Sequence, residues 1–161
     1  MPTIVDPHIG FISFQQALRD GTIAPTPCAG HPDLYVMMDV PEEGVRRLTY
    51  SFLSDGSAKA YAVYIQAEHM NGKPCFGVGY ATDEHYRDKG IATALVRAST
   101  AELYKRIAGH LHSPGIYIEA IVGVDNLASQ KVASRSLSAE PEPIKDDVSG
   151  EPALHYVKFV D

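Results

Sequence analysis

The chain has 161 residues, of which 45% are hydrophobic and 21% are charged, and its formal net charge is −6 at pH 7. This length fits one domain with its own hydrophobic core, and the composition excludes an intrinsically disordered chain. Basic residues stand side by side only at Arg46-Arg47 and Lys105-Arg106, so the chain lacks the basic clusters typical of nucleic-acid partners. Its mildly acidic composition is better suited to a cationic or amine-bearing partner.

Cysteine usage and the amino-terminal sequence bear on the cellular compartment. The two cysteines, Cys28 and Cys75, are too few for a disulfide framework, so both are expected to be reduced thiols. Residues 1–10 contain no basic segment followed by an apolar run, so no signal peptide is expected. No apolar stretch is long enough to span a bilayer. The sequence therefore predicts a cytoplasmic protein with no membrane partner.

The first half of the chain is predicted to form a short helix and four strands. Residues 11–19 are a helix ended by Asp20-Gly21, and residues 24–32 are a loop because they hold three prolines and a glycine. Strand-like runs follow at residues 34–40, 45–53, 58–68 and 75–82. Asn71-Gly72 between two of these runs is a strong hairpin signal. These strands are therefore predicted to be antiparallel.

The second half of the chain alternates helices and strands. Small and apolar residues recur at spacings of three and four from residue 89 to residue 108, which predicts a helix. Residues 116–124 are a β-rich apolar run, residues 126–137 a second helix, and residues 142–160 two strands joined around Ser149-Gly150. The predicted fold is a mixed, mostly antiparallel α/β sheet flanked by helices, in one domain covering residues 1–161.

A polar turn before the long helix reads R-D-K-G-I-A at residues 87–92. The first amides of a helix lack intrahelical partners, and the macrodipole adds partial positive charge there. Gly90 and Ala92 let a phosphate approach the backbone, Arg87 and Lys89 add full charges, and Thr93 offers a hydroxyl. The turn therefore predicts a pyrophosphate site, although a helix start that merely carries basic residues is an alternative. Neither a P-loop nor a Rossmann fingerprint is present.

Two motifs in this region resemble the GNAT superfamily of N-acetyltransferases. The stretch from Gly79-Tyr80 to Ala94 is similar to motif A of that family, whose signature Q/R-x-x-G-x-G/A follows the fourth strand. Residues 118–122, 126–129 and 132–133 resemble its fifth strand and the N-x-x-S-x-x-V-A start of the next helix. The similarity is greatest to the branch of ribosomal-protein and other N-terminal alanine acetyltransferases.

The resemblance implies an acetyl-coenzyme A-dependent N-acetyltransferase whose acyl-coenzyme A-binding core covers about residues 75–137. Backbone groups of the splayed fourth strand would pair with the pantetheine arm, and amides of the turn and helix start would hold the pyrophosphate. Asn126 would bond the cofactor near the pantetheine, and Ser129 would lie near the thioester sulfur. The implied cofactor-binding residues are Tyr80, Ala81, Thr82, Arg87, Asp88, Lys89, Gly90, Ile91, Ala92, Thr93, Asn126 and Ser129. In such enzymes the amine attacks the thioester directly, so Cys75 would only pack within its strand.

The chain departs from the family pattern at several positions. Asp88 stands where the family often has glycine, which puts a carboxylate beside the phosphate site. Ala133 occupies the position where many members keep a tyrosine as general acid, so that role is vacant or has passed to Ser129. Residues 137–139 replace the usual Gly-Phe after this helix. The first third of the chain, where acceptor specificity lies in this superfamily, matches no motif.

Proton transfer needs further residues, because the attacking amine must be neutral. The candidate bases are Glu68, His69, His85 and Glu119, and of these we take Glu68 as the catalytic base. Ser129 is the candidate proton donor to the leaving thiolate. Each of these residues is also explained without catalysis, the bases as solvated polar side chains and Ser129 as a residue that only positions the cofactor.

Strand alternation predicts the direction of two further side chains. Glu119 alternates with Ile118 and Ala120, so it should face away from whatever those residues bury. Tyr61 and Tyr64 lie three apart on one strand and should face opposite sides, one in the core and one at the surface. No metal is expected, because the pair His110 and His112 has no third ligand at a recognisable spacing.

Three functions remain open on the sequence alone. The first is transfer of acetyl to a primary amine on a protein N-terminus, a polyamine-like molecule, an antibiotic or an aminoacyl group. The second is a non-catalytic module that binds acyl-coenzyme A, which the missing tyrosine keeps open. The third, a toxin that acetylates charged tRNA, requires a basic surface that the acidic composition argues against. A homodimer is common in this superfamily and is left open.

Overall fold

The computed structural model describes residues 6–161, which form three α-helices and eight strands. The helices are α1 (Pro7–Asp20), α2 (Ile91–Ile107) and α3 (Leu127–Ser136). The strands are β1 (Thr26–Pro27), β2 (Leu34–Glu42), β3 (Val45–Ser54), β4 (Ser57–Met70), β5 (Lys73–Thr82), β6 (Ile116–Gly123), β7 (Glu142–Lys145) and β8 (Pro152–Val160). The signal-peptide prediction concerns residues 1–10, of which the first five lie outside the described residues.

The strands form one sheet in the order β1-β2-β3-β4-β5-β6-β8-β7. Every neighbouring pair is antiparallel except β5 and β6, which are parallel. The turn between β4 and β5 has positive φ at both central residues, 50° at Asn71 and 76° at Gly72, as a tight hairpin turn requires. The predicted mixed, mostly antiparallel α/β sheet is confirmed.

One face of the sheet is covered by α2 and α3 and carries the main core. Leu95, Val96 and Leu103 of α2 are fully buried there, together with Ile116 and Ile118 of β6. Tyr64 is also fully buried, and its hydroxyl lies 2.6 Å from Ser99 Oγ and 2.9 Å from Thr100 Oγ1. These two hydrogen bonds satisfy the hydroxyl and fix α2 against β4.

The opposite face is covered in part by α1. Phe11 and Phe14 pack on the ring of Tyr61, with ring centroids 5.1 and 5.6 Å away, and the Tyr61 hydroxyl donates to the carbonyl of Pro7 at 2.6 Å. Tyr61 is only 5% exposed, so the prediction that either Tyr61 or Tyr64 lies at the surface is wrong. The two side chains do face opposite sides of the sheet, as predicted, but α1 covers the side on which Tyr61 lies.

Several element boundaries differ from the prediction. The first helix begins at Pro7 because the Asp6 carboxylate accepts from the His8 amide at 3.0 Å and caps it. The predicted loop at residues 24–32 contains the short strand β1, and β2 continues past Pro41 through a register shift. Within residues 6–161, no helix combines the length and the apolar character that crossing a membrane requires.

Candidate functional site

The central feature of the site is the separation of β5 from β6. Their parallel pairing is limited to Cys75–Gly77 of β5 opposite Tyr117–Glu119 of β6. Beyond this point β5 continues to Thr82 paired with β4 alone, and β6 continues to Gly123 paired with β8 alone. The facing edges of the two strands therefore carry backbone amide and carbonyl groups without a ladder partner.

A cleft of about 1090 Å³ opens at this separation, on the face of the sheet that bears α1. Gly77–Tyr80 of β5 and Glu119–Gly123 of β6 line one end of the cleft, together with the start of α3. The other end is lined by α1 and by side chains of β2, β3 and β4. One cleft therefore extends from α1 to Tyr80, Asn126 and Ser129, three of the residues predicted to bind the cofactor.

The start of α2 leaves its first amides open. Gly90 precedes the helix with φ 73°, and no side chain caps it, whereas Asp6 and Asn126 cap α1 and α3. The first intrahelical bond runs from the Ala94 amide to the Gly90 carbonyl at 3.1 Å, so the three preceding amides have no acceptor in the helix. Nothing lies within 4 Å of a Cβ added at Gly90, so the space beside the helix start is open at this residue.

The turn before α2 supplies positive charge at the same place. Arg87, Asp88 and Lys89 are exposed, and Asp88 has φ 61°, a conformation that favours glycine. Lys89 Nζ lies 5.8 Å from the centroid of the Tyr86 ring, and Lys59 Nζ of β4 lies 5.6 Å from it on the same ring. The motif search missed Lys59, because it is close to this turn only through the pairing of β4 with β5.

Other predicted residues at this helix start are turned inward. Ala92 and Thr93 are each 8% exposed, and Ile91 packs against the main core. Their side chains therefore belong to the packing between α2 and the sheet, and what they present outward is the backbone. Ala81 and Thr82 at the end of β5 are half-buried, with Ala81 packed against the cluster under α1.

The start of α3 brings three predicted residues together. Asn126 Oδ1 accepts from the Ser129 amide at 3.1 Å, and Ser129 Oγ donates to the Tyr80 hydroxyl at 3.0 Å. The Tyr80 hydroxyl in turn donates to the Ser129 carbonyl at 2.7 Å. Burial raises the pKa of Tyr80 to about 12, so this hydroxyl keeps its proton at neutral pH. Ala133, on the same helix, is fully buried in the core.

The candidate base Glu68 lies at the rim of the cleft. It follows Ala67, where the pairing of β4 with β5 shifts register, and both Glu68 and His69 are exposed. His85 is exposed in the turn after β5, where its ring Nδ1 is 2.9 Å from Asp83 Oδ1. Glu68 and His69 therefore reach the cleft, whereas His85 is held in the turn by Asp83.

Sequence reasoning missed the pair formed by Glu119 and His155. Glu119 Oε1 lies 2.6 Å from His155 Nε2, and the two side chains are 10% and 17% exposed. This hydrogen bond lowers the pKa of Glu119, while burial, and then the nearby Glu119 carboxylate, raise the pKa of the Cys75 thiol to about 12. Glu119 does face away from Ile118 and Ala120, as predicted, but it faces a covered cleft.

The remaining predictions concern groups outside the cleft. Cys28 and Cys75 are both free and buried, in agreement with the expectation of reduced thiols. His110 and His112 are exposed beyond the end of α2. Among residues 6–161, no group of three or more His, Cys, Asp or Glu side chains is placed to hold a metal ion.

Comparison with solved structures gives relatives of the same fold. Ribosomal-protein-S5-alanine acetyltransferase from Vibrio fischeri is 20% identical, with a TM-score of 0.52 over 73% of this chain and 62% of that one. RimJ of Mycobacterium smegmatis, solved with a CoA-disulfide, is 20% identical, with a TM-score of 0.53 over 71% and 53%. AAC(6')-Ib, solved with paromomycin and acetyl-CoA, is 18% identical, with a TM-score of 0.51 over 70% and 64%.

The chain spans between 53% and 64% of the length of these three relatives. No curated protein sequence matches it significantly. A profile of the acetyltransferase (GNAT) family, whose members use acetyl-coenzyme A, matches residues 11–137. That span includes the separated strands, the uncapped start of α2 and the capped start of α3, and the chain belongs to the acetyltransferase (GNAT) family.

Proposed function

We propose that the protein transfers an acetyl group from acetyl-coenzyme A to a primary amine. The observation that carries this proposal is the separation of β5 from β6 directly before the uncapped start of α2. A slot with unpaired backbone groups followed by open helix amides suits a ligand that has amides along its length and phosphates at one end. Acetyl-coenzyme A has both, and residues 75–137 would form its binding core.

The residues present fit this cofactor. The amides of Ile91, Ala92 and Thr93 would hold the pyrophosphate, with Arg87 and Lys89 adding charge. The open edge of β5 at Tyr80, Ala81 and Thr82 would pair with the pantetheine arm, and Asn126 would lie beside it. Asp88 and Gly90 would shape the turn through their left-handed conformation. When bound, the cofactor supplies an acyl thioester, whose carbonyl carbon is open to attack by an amine.

The acceptor is proposed to be a cationic amine that enters between α1 and the strands β2 to β4. Asp6, Asp39, Glu68 and Glu119 all line the cleft, while Arg47 is the one lysine or arginine among the described lining residues. Arg47 is itself paired with Asp39. A carboxylate-lined cleft attracts protonated amines and raises their local concentration. The acceptor class, a protein N-terminus or a small amine, is consistent with the substrates named for the structural relatives.

Proton donation to the leaving thiolate is proposed for Ser129, supported by Tyr80. The Ser129 hydroxyl donates to Tyr80, and Tyr80 donates its own proton to the Ser129 carbonyl. Ser129 would therefore turn its proton from Tyr80 to the thiolate, and the Tyr80 hydroxyl would hold Ser129 in place. Glu68 at the rim is one candidate for the base. A buried alanine at position 133 cannot donate a proton, so this chain would use Ser129 where many relatives use a tyrosine.

The same buried Ala133 supports a second candidate, a module that binds acyl-coenzyme A without catalysis. The two candidates differ in one observable. The enzyme releases coenzyme A thiol at a rate that depends on added amine, whereas the module binds acetyl-coenzyme A and releases none.

The proposal is tested by isothermal titration of the protein with acetyl-coenzyme A and with coenzyme A. We expect micromolar binding by the wild type and none by Gly90→Glu, because the new side chain brings bulk and negative charge to the phosphate site. Gly44→Glu is the matched control, since Gly44 also has a left-handed backbone, with φ 79°, and open space around an added Cβ. Equal binding by the two variants, or no binding by the wild type, would refute the proposed cofactor site.

A further inference from the structure

Glu119 and His155 form a hydrogen-bonded pair in the cleft, and His155 has no part in the proton transfers proposed so far. Ile121 is the partner of His155 in the pairing of β6 with β8. Glu119 lies two residues before Ile121, so its side chain is on the same face of the sheet as that of His155. Both residues line the cleft. Their side chains are mostly buried, and they lie next to the point where β5 and β6 separate. A polar pair in this position borders the space between the two proposed substrates.

The hydrogen bond determines which nitrogen of His155 carries the proton. An ionised carboxylate only accepts hydrogen bonds, and the lowered pKa of Glu119 keeps it ionised at neutral pH. The Nε2 atom, 2.6 Å from Glu119 Oε1, must therefore be the donor. A neutral imidazole has one N–H group, so Nδ1 is left with a lone pair. Among the described residues, none bonds to Nδ1.

We propose that Nδ1 of His155 accepts the proton of the acceptor ammonium, with Glu119 as the positioning residue that holds the ring in this tautomer. This inference rests on the proposed acetyl transfer. The ammonium gives one proton to Nδ1, and its freed lone pair forms the nitrogen–carbon bond as the carbon–sulfur bond breaks. The Ser129 hydroxyl protonates the departing thiolate and takes the second nitrogen proton in exchange, and the imidazolium returns its proton to solvent.

His155 suits this role better than Glu68. The unprotonated nitrogen of a neutral imidazole can accept a proton while the other nitrogen keeps its hydrogen bond to a neighbouring carboxylate. Its ring is held by a 2.6 Å hydrogen bond, whereas the exposed Glu68 has no hydrogen-bond partner among the described residues. A fixed acceptor needs less reorganisation at the moment of proton transfer.

The tautomer can be measured without any acceptor. In uniformly ¹⁵N-labelled protein at pH 8, we expect the His155 ring to show a protonated Nε2 and an unprotonated Nδ1, assigned by loss of its signals in His155→Gln. In Glu119→Gln the amide can donate as well as accept, so the tautomer preference should weaken or reverse. A protonated Nδ1 in the wild type would overturn the proposal, since Nδ1 would then have no lone pair to accept the proton.

Kinetics test the same inference with an alanine-initiated peptide, spermidine and kanamycin as acceptors. With any amine that the wild type acetylates, we expect His155→Ala to lower kcat/KM by about 10²-fold or more. The KM for acetyl-coenzyme A should be unchanged. Added imidazole should restore part of the activity. Glu119→Gln should lower kcat/KM for the amine by roughly tenfold or more. His110→Ala, in the exposed segment after α2, is the control and should match the wild type.

The two levels of the proposal fail in different ways. If none of the three amines is acetylated although acetyl-coenzyme A binds, the proposed transfer falls, and the proton acceptor falls with it. If the wild type is active, His155→Ala matches His110→Ala, and Glu68→Gln abolishes turnover, the transfer stands and the role of His155 is overturned. Imidazole rescue separates a chemical role from a structural one, because a packing defect is not repaired by a soluble base.

Discussion

Two regions of the candidate site are assembled in different ways: the start of α2, called the α2 end, and the α1 end of the cleft. At the α2 end, the turn and helix start come from one continuous run, residues 87–93, and the features that matter are backbone amides. At the α1 end, the contacts join distant parts of the chain: Tyr61 donates to Pro7, 54 positions away, and Gln15 bonds to Ala58, 43 positions away. Local sequence therefore determines the first end, whereas tertiary packing determines the second.

This difference predicts that the α1 end can be damaged while the α2 end stays intact. Phe11 is 2% exposed and packs on Tyr61, so Phe11→Ala should lower the free energy of unfolding by about 3–5 kcal/mol. Thermal unfolding measures the loss. In the fraction that remains folded, the Kd for acetyl-coenzyme A should be unchanged while the KM for the amine rises.

The control for that prediction is Ile12→Ala, one residue further along α1, where the side chain is 56% exposed. It should leave both stability and binding within experimental error of the wild type. A loss of acetyl-coenzyme A affinity in Phe11→Ala that its own unfolding does not explain would show that the two ends of the candidate site are not independent.

A smaller effect is expected at the contact between Tyr80 of β5 and Ser129 of α3. Tyr80→Phe removes the hydroxyl that donates to the Ser129 carbonyl and accepts from Ser129 Oγ. It should cost about 1–2 kcal/mol of stability and lower kcat with little change in the Kd for acetyl-coenzyme A. Tyr156→Phe is the matched control, because Tyr156 is also buried but its hydroxyl has no hydrogen bond within residues 6–161. Equal kcat values for the two variants would contradict a role for Tyr80 beside Ser129.

The smallest effect concerns acid stability of the turn before α2. The backbone amide of His85 donates to the Asp83 carboxylate at 2.9 Å and lowers its pKa. A carboxyl group whose pKa is lower in the folded state stabilises the fold above its unfolded pKa, near 4, and loses that contribution as pH falls through the folded value. Melting temperatures between pH 6 and pH 2.5 should therefore fall more steeply for the wild type than for Asp83→Asn. Parallel curves would exclude a contribution from this carboxylate.

Features that depend on local sequence could be predicted, whereas features that depend on tertiary packing could not. Periodicity and turn residues predicted the order of the strands and helices except for β1, and the motif at residues 87–92 predicted the helix start that follows it. The pairing of Glu119 with His155 could not be predicted, because it depends on β8 returning beside β6 in one particular register. A one-residue shift of that register would turn His155 to the opposite face.

Lys59 was missed, and the burial of Tyr61 was predicted wrongly, for a related reason. Alternation predicts that neighbouring strand residues face opposite sides, but it does not say what covers each side. The burial of Tyr61 depends on α1, whose docking involves Gln15 bonding to both backbone groups of Ala58. The position of Lys59 beside Tyr86 depends on the pairing of β4 with the end of β5. Neither contact leaves a signal within a short stretch of sequence.

The short ladder between β5 and β6 has a mechanical consequence. Five strands stand on one side of it and three on the other, and only three residue pairs join them, against eight pairs between β6 and β8. Apart from the two pairs that join the two-residue strand β1 to β2, this is the shortest ladder of the sheet, and α2 packs on β5 while α3 packs on β6. A load that pulls β5 and β6 apart would act on this ladder first, whereas a ligand lying across it would stiffen the molecule as a whole.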